Sequence, residues 1–204
     1  MQPLKKTITN QNPFLDYTMK KNILITLLGA LALLSCGQGK EKTQTVRVKQ
    51  LYTIEIPDFL SEAKYLDKEA SLQYQNLVKE VYIVVLDEPK EVLEKTIADN
   101  GLEDYYTLDI NGYASLLTDS MEESVAFDSI PVLQPEKING LNSQILNFTG
   151  KIEGVHIYWK LAYIEGRNNY YQVMTWTLAS RKEEYQNIMD AMVNSFKEID
   201  KHKK

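Results

Sequence analysis

Apolar and polar positions along this chain alternate mostly with a period of two, and with a helical period in three places. Val48 to Ile56 sets Leu51, Thr53 and Glu55 against Tyr52, Ile54 and Ile56, and Pro57, which has no amide hydrogen, ends the strand. Strands are predicted again over Ala70 to Gln75 and Glu80 to Leu86. The run Val81-Tyr82-Ile83-Val84-Val85-Leu86 is nearly continuous in apolar residues, which predicts a central strand covered on both faces. Lys90 to Ala98 has the pattern of a short helix ended near Asn100-Gly101. A longer helix, about Leu108 to Val125, places Tyr113, Leu117, Met121 and Val125 on one stripe with Leu116 beside it, although Asn111-Gly112 near its start also favours a turn.

The last third is the most regular. Leu141 to Thr149 passes through Gly150-Lys151-Ile152-Glu153-Gly154 into Val155 to Glu165, and Gly166-Arg167-Asn168-Asn169 leads on into Tyr170 to Leu178, a succession of hairpins. In the middle strand Val155, Ile157, Trp159, Leu161 and Tyr163 share one face, and Tyr158, Lys160 and Ala162 share the other. Ser180-Arg181-Lys182-Glu183 fits a capping box, and the helix it opens sets Tyr185, Ile188, Met189, Met192, Phe196 and Ile199 on one face. These elements predict an α+β fold. A central antiparallel sheet of about six or seven strands is covered by helices in one domain over residues 48–199, and a frayed tail follows at 200–204.

Ahead of that domain the pattern changes. From Met19 the chain reads Met-Lys-Lys-Asn, then a largely apolar stretch from Ile23 to Leu34, then Ser35-Cys36-Gly37. As a helix this stretch would rise only about 18 Å, short of the ~30 Å hydrocarbon core of a bilayer. A charged start followed by a short apolar run is the form of a cleaved signal. Residues 1–35 are therefore expected to be a signal peptide, with translation starting at Met19, because residues 1–18 add a polar extension that a signal does not need. Gly37 to Arg47 is polar and aperiodic, and residues 36–47 are expected to form a flexible tether.

Leu33-Leu34-Ser35-Cys36 resembles the lipobox of bacterial lipoprotein signals, with an apolar residue three before the cysteine and a small one immediately before it. The resemblance implies cleavage after Ser35 and a diacylglyceryl group on the Cys36 thiol, hence a membrane partner reached through that lipid. Gly37 stands where an Asp would favour inner-membrane retention, so outer-membrane residence in a bacterial cell envelope is expected. Cys36 is the sole cysteine, which rules out an internal disulfide, and lipidation accounts for the lone thiol.

Within the domain, the order of elements, Ile56-Pro57 near its start and Met192 to Lys197 reading M-x-x-S-F-K at its end resemble the PsbP-like and DcrB-like families over about residues 48–199. That resemblance implies an α/β/α sandwich whose members bind and assist, as extrinsic subunits or envelope lipoproteins. It carries over no catalytic position.

Charge and chemistry narrow the function further. The net charge is −5, and removing the leader takes away four of 23 basic and one of 28 acidic residues, leaving 19 and 27, or −8. Such a domain is repelled by phosphate backbones, so no nucleic acid partner is expected. Two histidines, His156 and His202, and one lipidated cysteine make no zinc motif, and no cofactor is expected. No G-x-S-x-G, G-x-G-x-x-G or P-loop occurs; Gly150 and Gly154 are turn glycines. Glu122-Glu123 and Glu183-Glu184 are adjacent in helices, about 100° apart, which suits a solvated face better than a carboxylate dyad. Asn147-Phe148-Thr149 matches a glycosylation sequon, and Asp119-Ser120-Met121 and Asp128-Ser129-Ile130 match a short O-glycosylation motif of bacterial envelope proteins. Thirteen tyrosines, with pairs at Tyr105-Tyr106 and Tyr170-Tyr171, serve either a core two faces deep or a binding surface. The expected function is an envelope-anchored binding or assembly module for a protein or small ligand, not an enzyme. The alternatives are a hydrolytic enzyme with His156 as base and an envelope stress or structural factor.

Overall fold

The structure, a computed structural model, describes residues 41–121 and 124–199. Leu33, Leu34, Ser35 and Cys36, the Glu122-Glu123 pair and the 200–204 tail lie outside the described residues.

The first strand begins earlier than the period-two pattern indicated. β1 (Thr43–Val48) and β2 (Tyr52–Pro57) form an antiparallel hairpin. The single strand expected over Val48 to Ile56 is broken at its start by a turn, where Lys49 takes φ +47° and the Leu51 N–H donates to the Val48 carbonyl. The expected tether thus loses Thr43–Arg47 to the sheet, and the domain boundary moves from Val48 to Thr43. The cause is position: Thr43, Thr45 and Arg47 are exposed on a strand at the edge of its sheet, so its composition is that of a linker.

There follow β3 (Ser61–Glu62), β4 (Leu72–Asn76), β5 (Val81–Pro89), α1 (Lys90–Asn100), α2 (Ile110–Met121), β6 (Ala126–Phe127) and β7 (Gln134–Ile138). The chain continues through β8 (Leu141–Ile152), β9 (Val155–Glu165), β10 (Asn169–Leu178), a 3-10 turn at Ala179–Arg181, α3 (Lys182–Asn194) and β11 (Lys197–Glu198). The main sheet has eight strands in the order β3-β4-β5-β10-β9-β8-β6, with β7 also paired to β8. A second sheet of three strands, β1-β2-β11, was not anticipated. Every pairing is antiparallel.

Helices pack on both faces of the main sheet, and the class is α+β. On one face Ile83, Val85, Ala162, Ile164, Tyr171 and Val173 pack under α3 and the small sheet, with Tyr185, Met189, Met192 and Val193 of α3 and Tyr52, Ile54 and Ile56 of β2. Tyr52 stacks on Phe196 at 5.0 Å and meets Tyr171 edge-on at 5.6 Å. On the other face Leu146, Trp159, Leu161, Tyr163 and Tyr170 pack under Leu93 and Ile97 of α1 and Ile110, Tyr113 and Ala114 of α2. Tyr170 and Tyr171 are both buried, one on each face, so this pair fills a two-faced core and is no binding surface.

The helix ends follow local chemistry. Gly101, at φ +64°, closes α1, its N–H and that of Leu102 bonding back to the last turn. α2 starts at Ile110, not Leu108, because the Asp109 carboxylate caps it, accepting from the Asn111 and Gly112 N–H groups at 2.9 and 3.1 Å. It ends at Met121, so Val125, though buried, lies past the helix. The capping box expected at Ser180 and Glu183 does not form. The chain makes a 3-10 turn there, Arg181 occupies the cap without a side-chain bond, and its guanidinium instead holds Glu184, the Tyr185 hydroxyl and the Val78 carbonyl. α3 stops at Asn194, short of Phe196 and Ile199, because Lys197–Glu198 turn extended and pair with Thr53 and Tyr52 of β2.

Candidate functional site

The hairpin closed between Glu165 and Tyr170 sets the register of β9 and β10, and six residues back on each strand it brings Trp159 opposite Trp176. β5 adds Tyr82 opposite Trp176, β4 adds Gln75 opposite Tyr82, and β8 adds Phe148 opposite Trp159. One transverse row of the sheet, on the face that carries α1 and α2, is therefore almost wholly aromatic. Tyr82 and Trp176 are stacked at 5.2 Å and 6° from parallel. Phe148 and Trp159 stack at 4.9 Å, and Phe127 of β6 meets Phe148 edge-on at 4.9 Å.

The two ends of this row differ. Phe148 and Trp159 are buried with the cluster beneath the helices, whereas Tyr82 and Trp176 are half-buried. α1 packs on β5 and α2 on β8 and β9; Gln73, Gln75, Tyr82, Leu86, Met174 and Trp176 stay half-exposed on β4, β5 and β10. The Tyr82 hydroxyl donates to Glu80 Oε2 at 2.7 Å, and burial followed by that carboxylate pushes its pKa up to about 12. The hydroxyl thus stays neutral with its one proton engaged by Glu80, and the ring is held in place as a flat aromatic surface.

A second feature lies at the opposite end of the sheet, a cleft of about 560 Å³ between the start of α2 and the edge formed by β7 and β8. Its polar groups mostly satisfy one another. Gln144 Nε2 donates to Asn111 Oδ1 at 2.6 Å, and Glu165 accepts from Lys90 Nζ at 2.9 Å and Asn142 Nδ2 at 3.0 Å. Lys90 and then Asn142 hold the Glu165 carboxyl below its ordinary range. Asp109 is likewise held low, first by the Thr107 hydroxyl and then by the Gly112 and Asn111 groups it caps, against the effect of burial. This network ties α2 to the sheet.

His156, the residue singled out as a candidate base, stands near the β8–β9 turn with Nε2 2.5 Å from Asp128 Oδ2, both side chains well exposed. Hydrogen bonding from Thr149 and then from His156 lowers the Asp128 pKa. An Asp–His pair orients an imidazole, but here the pair is open to water. Of the other motifs, Asp119 accepts from Tyr106 and Ser120 bonds back to Leu116, while Ser129 and Ile130 are exposed. Glu183 takes a bond from Gln186, and Glu184 pairs with Arg181. Among the described residues no cluster of three metal-ligating side chains occurs, and no helix is long and apolar enough to cross a membrane.

The half-open aromatic row was missed from the sequence. Its signal was present in the hairpin, since a turn closed at Glu165–Tyr170 dictates the Trp159–Trp176 pairing. The participation of Tyr82 needed the β5–β10 pairing, which joins segments far apart in the chain.

The sequence matches no family model and no curated protein. Among solved structures the chain is similar to the cyanobacterial PsbP of Synechocystis sp. PCC 6803, with 14% identity, a TM-score of 0.49, and coverage of 80% of this chain and 97% of that one. It is also similar to LpqN, involved in cell envelope biogenesis of Mycobacterium tuberculosis, at 9% identity and a TM-score of 0.48, covering 78% and 91% of the two chains. PA94 of Pseudomonas aeruginosa, a putative regulator of unknown function, aligns at 14% identity and a TM-score of 0.43 over 75% and 94%.

Proposed function

We propose that this chain is a lipid-anchored protein of the bacterial envelope whose globular domain is a non-catalytic binding module. The leader ending in Leu33-Leu34-Ser35-Cys36 supports the anchor, and Gly37 after the cysteine supports outer-membrane residence. The observation that carries the binding role is the half-buried Tyr82–Trp176 stack, a flat aromatic surface where the helices leave the sheet uncovered. Trp and Tyr are the side chains that most often dominate protein interfaces, offering large contact area with a polar handle. An open face of this shape suits a protein partner better than an enclosed small molecule.

The test is site-specific photocrosslinking in cells. A crosslinker at Gln75, beside the stack, should give one discrete adduct that a crosslinker at Asn100 does not, and Trp176→Ala should reduce it at least about tenfold, as expected for a hot-spot aromatic. An adduct at Gln75 that is indifferent to Trp176→Ala would sink the assignment. Fractionation of Cys36→Ala checks the anchor separately, because that variant should stay uncut or leave the membrane fraction, and a processed form retained in the membrane would refute the anchor.

A further inference from the structure

Four exposed aliphatic side chains stand at one end of the main sheet. Leu77 and Val78, 64% and 89% exposed, form the tip of the β4–β5 turn, and Ile152 and Val155, 37% and 48% exposed, flank the β8–β9 turn. The register places both tips beyond the same row. Asn76 pairs with Val81, Val81 with Thr177, Thr177 with Tyr158, and Tyr158 with Thr149, so both turns project from there in the same direction.

Turn geometry does not demand these residues. In the first turn the Asn76 side chain does the work, its Oδ1 accepting from the Val78 and Lys79 N–H groups at 3.1 and 2.8 Å, and Glu80 supplies the positive φ of +54°. In the second, Glu153 and Gly154 take φ +50° and +84°, the two-residue hairpin turn. Leu77, Val78, Ile152 and Val155 are thus aliphatic where polar residues would fold as well.

The start of the domain lies beside the first tip. The Asp58 N–H donates to the Lys42 carbonyl at 2.9 Å, the next residue, Phe59, accepts from Asn76 Nδ2 at 2.7 Å, and Lys79 Nζ sits 4.9 Å from the Phe59 ring. Six chain steps separate Lys42 from Cys36, a reach of about 20 Å at full extension. A lipid on Cys36 would keep this end of the sheet within that reach of the bilayer, with the Asp109 cleft at the far end of the strands. Charge at this end is mixed, Lys79, Lys151 and Arg181 being offset by Glu80, Glu153 and Glu184, so attraction to anionic lipid is not the organising force.

We propose that this end of the sheet is a membrane-contacting surface. Leu77, Val78, Ile152 and Val155 enter the interfacial layer of the bilayer that holds the Cys36 lipid, and fix the domain upright on it. The proposal rests on the reading of Cys36 as lipidated. The partner is a lipid surface, recognised through aliphatic contact and short reach, so the contact should be insensitive to salt and to headgroup charge.

The test uses the full lipidated chain in phosphatidylcholine–phosphatidylethanolamine vesicles. With the Cys36 thiol blocked by lipid, Val78→Cys, Val155→Cys or Asn168→Cys supplies the one site for an environment-sensitive fluorophore; all three positions are exposed, and Asn168 lies at the opposite end of the sheet. Labels at 78 and 155 should shift to the blue and be quenched by a shallow lipid-borne quencher several-fold more than the label at 168, in low and high salt alike. Placing Leu77→Ser in the Val155→Cys chain should reduce that quenching. Chains that float with the vesicles yet quench equally at all three positions, or at none, overturn the proposal while leaving the anchor intact. Chains that do not float at all overturn the lipidation reading, and the proposal falls with it.

Discussion

Lys160 offers the sharpest test of how this core is held together. It lies in the middle of β9 facing α3, 8% exposed, with its ammonium 2.5 Å from Asp190 Oδ1. Its neighbours on that face include Tyr158, Ala162 and Thr175. Asp190→Ala leaves the ammonium without its carboxylate in surroundings that admit little water. For a fully enclosed pair, removal of one partner costs about 3–5 kcal/mol. The Asp190 side chain is 44% exposed, so water screens this pair and can take over part of the solvation, and the discounted expectation is about 1–2 kcal/mol. At about 2–4 °C per kcal/mol for a domain of 150–250 residues, the melting temperature should fall by about 2–8 °C. Lys160→Met removes the charge and keeps the volume, so it should lie within about 1 kcal/mol of the parent or above it. Adding Asp190→Ala to Lys160→Met should then cost almost nothing, which makes the coupling in the cycle strongly favourable. Urea unfolding followed by tryptophan fluorescence, with an unchanged m-value, reads all four proteins. If Asp190→Ala matched the parent, or if Lys160→Met lost as much as Asp190→Ala, the picture of a desolvated lysine held by one carboxylate would be refuted.

Two further outcomes follow from the packing. A Cβ added at Gly112 would fall on the Thr107 carbonyl oxygen and within 2.6 Å of its nitrogen, so Gly112→Ala should cost about 2–4 kcal/mol in urea; a loss below about 0.5 kcal/mol would show that the α2 start yields easily. At high pH, Tyr82, Tyr163 and Tyr185 are pushed up to about 12, in each case first by burial. Their protons stay on in the fold above the ordinary value of 10, so their contribution is whole below pH 10 and is lost as the pH climbs towards 12. The last part of the tyrosinate absorbance should therefore appear only with loss of the fold, and complete ionisation of the domain's tyrosines near pH 10 with near-ultraviolet dichroism intact would contradict that burial.

Much of this architecture could be read from local pattern because strands covered on both faces are written in apolar residues. The pattern of Val155–Glu165 gives β9 with its two faces sorted as in the fold, and Asn100-Gly101 marks the end of α1, since a hairpin and a left-handed cap are decided within a few residues. What escaped is what depends on distant partners. β1 reads as a polar linker until β2 pairs with it, and β3, β6 and β11, each two residues long, have no period of their own. The same reason hid the half-buried aromatic row. Trp159 and Trp176 sit opposite each other through a local turn, but which end of their row stays uncovered depends on where α1 and α2 come to rest. The capping box at Ser180 failed for a related reason, as Arg181 finds partners on the β4–β5 turn and on α3 that a local motif does not include.

β11 carries a consequence for the order in which the molecule assembles. Its two residues complete the sheet begun by β1 and β2, the Ile199 N–H donates to the Leu51 carbonyl at 2.8 Å, and the Glu198 carboxylate takes the Arg167 N–H at 3.0 Å and the Tyr171 hydroxyl at 3.2 Å. The pairings with β2 and Leu51 join segments more than a hundred residues apart, and loop-closure entropy makes such pairings late events. The β8–β9–β10 meander can form early from neighbouring residues, while the first hairpin waits with an unpaired edge for β11. Locking of the fold is thereby deferred until β11 reaches the first hairpin. For a polypeptide exported as proposed, that delay keeps the chain pliant during its passage and lets the finished domain set only on the far side.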